Sequence, residues 1–150
     1  MAKDDGFTLI EMVCVLAIMA LLAALVFPYF SPGSTPAEVD AYAVRIASLL
    51  KADRYAAIRS GAPVATLLSA RARTVKSGAG AGLVQLPPGI AFDAVLAKRC
   101  AGVNASRGIA FFPSGMSCGG VIALARPGLN IEIRVNWLTG GVEIVSTAKS

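Results

Sequence analysis

Residues Gly115 to Gly119, GMSCG, fit G-x-S-x-G, a pattern that places a nucleophilic serine, here Ser117, on a sharp turn. Such a serine needs a base to accept its proton, and the chain has no histidine among its 150 residues. A glycine-rich turn between strands accounts for the same letters without chemistry. The cluster GAGAG, Gly78 to Gly82, lacks the following helix and the Lys-Ser/Thr pair of a phosphate loop, and reads as a flexible hairpin tip. Cys100 and Cys118 lie 18 positions apart, without the close paired spacing of a zinc site. They can form a disulfide if their domain lies outside the cytoplasm, or remain two buried thiols. Cys14 sits in an apolar run, where a thiol acts as a small hydrophobe. These letters give no catalytic residue, metal site or cofactor, and the chain is not expected to be an enzyme.

The residue that asks for an explanation is Glu11. From Met12 to Phe27 no charged or strongly polar side chain occurs, and with Phe7 to Ile10 the run reaches about 20 residues, or about 30 Å as a helix, enough to span a bilayer core. A carboxylate in such a helix costs about 2.5–3.5 kcal/mol at its centre and less near an end. Glu11 should therefore meet a cation, or else snorkel to the interface. A cleaved secretory signal ending near Ala23 and Ala24 is an alternative. Against it, the residues before the run hold Lys3 but also Asp4 and Asp5, and the run is longer than most signal h-regions. A buried helix of a soluble core is disfavoured by the same length.

These residues must be carried by a simple plan. Pro28, Pro32 and Gly33 end the apolar helix. A second helix is expected over 36–60, with Thr35 as cap, Pro36 in the first turn and Glu38 closing a T-x-x-E box. Val39, Ala43, Ile46, Leu50 and Ala57 form its apolar stripe, while Asp40, Lys51 and Arg54 mark the wetter side. Gly61 and Pro63 stop it. Strands separated by turn signals follow, at 64–69, 73–76, 83–86, 89–92, 109–112, 121–125, 131–137 and 142–145. The fold class is α+β, with a helix packed on a mostly antiparallel sheet domain. The 14 basic and 9 acidic residues give a net charge of +5, but the cations are scattered and no run of five like charges occurs. A solvated surface is expected rather than a nucleic-acid groove, although Arg71, Arg73 and Lys76 could cluster.

The stretch G-FTLIEMVCVLAIMALLAALVFP resembles the leader and N-terminal helix of type IV pilins and type II secretion pseudopilins. The resemblance implies a leader over 1–6, cleavage by prepilin peptidase between Gly6 and Phe7, N-methylation of Phe7, and a membrane and filament-packing helix over 7–30. It makes Glu11 the glutamate at the fifth mature position, where the new amine of Phe7 on the same or an adjacent subunit can meet it. Farther along, GIAFFPSGMSCGGVIAL and IEIRVNWLTGGVEI resemble the GspH/FimT pseudopilin domain, and Trp137-Leu138-Thr139-Gly140 leans toward the minor pseudopilins H of type II secretion. A periplasmic domain over 31–150 (helix 36–60, β domain 63–146) is then implied, on a single-pass inner-membrane anchor. Its partners would be major and minor pseudopilins and its role assembly near the tip of the pseudopilus. The alternative is a pilus minor pilin of FimT type, acting in pilus assembly or DNA uptake. The pair Cys100 and Cys118 is not a usual feature of that family.

Overall fold

The computed structural model describes residues 8–26 and 35–148. The chain divides into two compact units, Met1–Gly33 and Ser34–Ser150, treated separately below. In the first, helix α1 spans Leu9–Val26. The carbonyl of Thr8 accepts from the amides of Glu11 and Met12 at 3.0 and 3.3 Å, starting the helical ladder.

The second unit begins with helix α2, Pro36–Ser60. Thr35 caps it, its hydroxyl accepting from the Glu38 amide at 3.2 Å, and Gly61 ends it in the left-handed conformation at φ +64°. The expected stripe is buried, with Val39, Ala43, Ile46, Leu50 and Ala57 all at 0% exposure.

Two four-stranded antiparallel sheets complete the core beneath this helix. The first runs β3-β2-β1-β7 and the second β10-β9-β8-β4, with a small β5-β6 pair beside them. The strands are β1 Val64–Ser69, β2 Thr74–Lys76, β3 Leu83–Gln85, β4 Ala91–Leu96, β5 Arg99–Cys100, β6 Val103–Asn104, β7 Gly108–Phe111, β8 Gly120–Arg126, β9 Leu129–Val135 and β10 Val142–Ala148. Helix α2 touches both large sheets. Register follows the period of two: Ile122, Leu124, Ile131 and Ile133 turn inward from the second sheet, and Val75, Ile109 and Phe111 from the first.

The structure revises several expectations: β9 is Leu129–Val135 and not 131–137, which leaves Trp137 in the turn that follows, and β10 runs on to Ala148. The fourth strand begins at Ala91, not Gly89, and runs on to Leu96, because Asp93 points outward and leaves Phe92, Ala94 and Leu96 in alternation facing inward. The β5-β6 hairpin was not expected: its strands are two residues each, and its turn places Ala101 at φ +49° beside Gly102 at +82°, a site where asparagine is the usual signal. Arg54 does not belong to the wet side of α2. It is half-buried, and its Nε donates to the Gly115 carbonyl at 3.0 Å.

The polar centre of the unit is Asp53, which is fully buried on α2. Its carboxylate accepts from Thr66 Oγ1 at 2.6 Å, from Ser77 Oγ, and from the amides of Gly78 and Ala79 at 3.0 and 3.3 Å. The GAGAG segment is thus the loop of the β2-β3 hairpin, with its first residues tied to a helix. Gly78 is required here, since a Cβ would stand 2.2 Å from the Ala65 carbonyl oxygen. A buried carboxylate is tolerated only when its hydrogen bonds are made, and losing one side strands the rest. Asp53→Ala is expected to destabilise the fold by about 3 kcal/mol, lowering the melting temperature by roughly 10 °C, which calorimetry of the intact chain can measure.

Candidate functional site

Helix α1 has no dry side. All side chains from Leu9 to Ala23 are exposed, among them Leu9 at 84%, Leu16 at 69% and Leu21 at 66%. A helix that is apolar all round needs lipid or other helices about it. Among the described residues no helix is long and apolar enough to cross a membrane. The 18 residues of α1 rise about 27 Å, slightly less than the roughly 30 Å of a bilayer core. The apolar sequence extends beyond both ends, to Phe7 and Phe27, which lie outside the described residues.

Glu11 is exposed in the first turn of α1, the end at which the helix dipole favours a negative charge. It is the one acidic or basic residue in the sequence of that helix, and Cys14, one turn on, is a free exposed thiol. Gly6 and Phe7, the expected processing residues, lie outside the described residues, so the amine proposed to meet Glu11 does as well.

In the globular unit the residues singled out in the sequence converge on one junction. Ser117 is 5% exposed; its hydroxyl donates to the Asn136 carbonyl and accepts from the Gly119 amide, both at 3.0 Å. The backbone of the same short segment joins the two sheets. The Ser117 amide donates to the Trp137 carbonyl and the Cys118 amide to the Ala110 carbonyl, each at 2.9 Å. This hydroxyl is a structural pin, committed on both its donor and acceptor sides. Cys118 is bonded to Cys100 with an S–S distance of 2.04 Å, fastening the β5-β6 hairpin to the junction.

The Trp137 to Gly140 turn closes the other side. Asn136 Oδ1 accepts from the amides of Leu138 and Thr139 at 2.9 and 3.0 Å, and Gly140 adopts φ +63°. A Cβ on Gly140 would stand 2.1 Å from the Gly115 oxygen and 2.7 Å from Arg54 Nε. The two separated motifs of the C-terminal half are therefore one contact, with Arg54 of α2 wedged against both. Sequence reasoning missed Asp53 and Arg54. The only signal for either was an acid inside an otherwise apolar stripe, since 46, 50, 53 and 57 share one helical face.

Comparison with known proteins yields one match. Residues 1–27 match the family model described as the prokaryotic N-terminal methylation motif. No curated protein and no solved structure matches the chain. The motif, with a helix packed on antiparallel sheets behind it, supports a type IV pilin-like protein that is a substrate for prepilin peptidase. Pilin and pseudopilin share this motif, so it does not separate them.

Glu11→Leu provides the test of the carboxylate. The variant is expected to insert in membranes as well as the parent, since a charge is removed from an apolar helix, yet to assemble poorly. Carbonate extraction reads the first and cross-linking of sheared filaments the second; normal assembly would reduce Glu11 to a snorkelling side chain.

Proposed function

We propose that this chain is a minor pseudopilin of a type II secretion apparatus and not an enzyme. In this reading prepilin peptidase cuts between Gly6 and Phe7, Phe7 is N-methylated, and residues 7–30 hold the protein in the inner membrane with the globular unit in the periplasm. It joins other major and minor pseudopilins near the tip of a short pseudopilus that pushes folded proteins through the outer-membrane secretin. The observation that carries the pilin-like part of the reading is the methylation motif over residues 1–27, whose helix exposes apolar side chains all round. A Cys100–Cys118 disulfide suits an oxidising compartment such as the periplasm. The Trp137 to Gly140 turn, packed on Gly115, supports the secretion branch over the pilus branch through the resemblance of those segments.

A pilus minor pilin of FimT type is the second reading, favoured by the excess of cations in the globular unit. DNA binding that weakens steeply with salt would support it.

Two measurements test the proposal. Mass spectrometry of the protein purified from its own membranes is expected to show a chain beginning at N-methyl-Phe7; a chain beginning near Ala24 would mean an ordinary signal peptide. Deleting the gene is expected to stop release of folded exoproteins while leaving pilus-dependent motility and DNA uptake intact, and the opposite pattern would transfer the chain to the pilus branch.

A further inference from the structure

The disulfide joins two segments that the fold holds unequally. Cys118 is kept in place by the backbone about it: its amide donates to the Ala110 carbonyl at 2.9 Å, and the neighbouring Ser117 and Gly119 amides reach the Trp137 carbonyl and the Ser117 hydroxyl. Cys100 lies in the β5-β6 hairpin. Among the described side chains from Ala97 to Arg107 none is buried, and none joins the apolar core. The loop bonds that shape this hairpin stay within it or at its end: Ala105 amide to Lys98 carbonyl at 3.2 Å, Ser106 amide and hydroxyl to Asn104 Oδ1 at 2.9 and 2.6 Å, and Gly108 amide to Ala105 carbonyl at 3.4 Å. Its turn holds Ala101 at φ +49°, a conformation that a residue with a Cβ adopts at a cost. Two strands of two residues each do not make a stable hairpin by themselves.

The hairpin is also a wall. Ala101, Asn104 and Ala105 line one slot of about 350 Å³ together with Ala65, Leu67 and Ala110 of the first sheet, and Cys118 lines it as well. Ala65 and Leu67 alternate with buried Thr66, and Ala110 lies between buried Ile109 and Phe111, so the floor is the side of the sheet turned away from the core. The stretch that carries the wall is tied down at its two ends. Leu96 pairs with Gly120 in β8 before it, and the Arg107 carbonyl accepts from the Leu68 amide at 2.9 Å after it.

We propose that Cys100–Cys118 is a redox latch: oxidised, it holds residues 97–106 against the first sheet as the wall of the slot; reduced, it releases them and uncovers Ala65, Leu67 and Ala110, while both large sheets and α2 stay folded. The reductant is a dithiol. One of its thiolates attacks a sulfur of the Cys100–Cys118 bond and forms a mixed disulfide, and its second thiol then displaces the remaining cysteine. The protein S–S bond takes up two electrons and two protons and becomes two thiols, and the dithiol becomes a disulfide. Both cysteines are partly exposed, which gives the attacking thiolate access. The slot is therefore a property of the oxidised chain alone. Under the function proposed above, the hairpin closes only after the unit has left the cytoplasm, where thiols are kept reduced. The latch itself does not rest on that reading.

The test is hydrogen–deuterium exchange, read by mass spectrometry, on the full chain in uncharged detergent micelles. Cys14, a free and exposed thiol, is first replaced by serine so that no other pairing competes. Exchange is followed in the oxidised chain, after reduction with dithiothreitol, and after reoxidation. Reduction is expected to speed exchange over 97–106 about tenfold or more, the order of the loop-closure constraint that such a bond supplies, and reoxidation to reverse it. Exchange over Ile131–Val135 in β9 is expected to stay within about twofold, because opening is local. Cys100→Ser, unreduced, should reproduce the pattern of the reduced chain. Unchanged exchange in the hairpin overturns the proposal, since other contacts then hold it. Exchange that rises equally in β9 overturns it too, by making the bond a staple of the whole fold, as does protection that reoxidation does not restore. A bond that dithiothreitol leaves intact in the folded chain, shown by alkylation of free thiols, is also a refutation.

Discussion

A carboxylate taken out of water must have its oxygens occupied, and Asp53 obeys this by drawing three segments of chain onto α2. It binds Thr66 in β1, Ser77 at the end of β2, and the loop amides of Gly78 and Ala79. The geometry of the first sheet relative to the helix follows from those bonds, because β1 and the β2-β3 hairpin have no freedom to slide while the carboxylate remains satisfied. Its neighbour Arg54 serves the other sheet. Its guanidinium donates to Gly115, at the segment from which the chain crosses to β8. Two consecutive residues of one helix thus fix two sheets, and the apolar stripe beside them supplies the area that hydrophobic burial requires.

The crossing segment gives the C-terminal half its logic. Ser117, Cys118 and Gly119 are tied to β7 on one side and to the Asn136–Trp137 backbone on the other. Gly115 and Gly140 approach so closely that neither neighbourhood admits a side chain at Gly140. A pattern that in other folds exposes a nucleophile here buries a hydroxyl in a backbone joint. The disulfide then adds the β5-β6 hairpin to the same joint.

The N-terminal unit works by the opposite principle. Among the described residues of that unit nothing covers the surface of α1, and a helix with apolar side chains exposed all round needs lipid or other helices about it. The globular unit buries its apolar stripe within itself, whereas the helix does not.

Much of the architecture was legible in the letters. Helix 36–60 is bounded by local signals, a Thr-Pro start and a glycine that accepts positive φ, and the β1 limits coincide with the expected 64–69 because Gly61, Pro63 and the alternation fix them. The N-terminal motif is also local, a short run of contiguous residues, and is read without any fold. What the letters withheld is long-range. Asp53 and Arg54 look like surface residues until partners 13 and 61 positions away are known. The β5-β6 hairpin is too short to carry a period. Whether Cys100 and Cys118 pair depends on which strands become neighbours. By itself the sequence determined the two helices, the longer strands, their order and the apolar N-terminal run, because these depend on neighbours along the chain. Only the tertiary structure decided which polar groups are buried and which cysteines pair, because those follow from contacts across it.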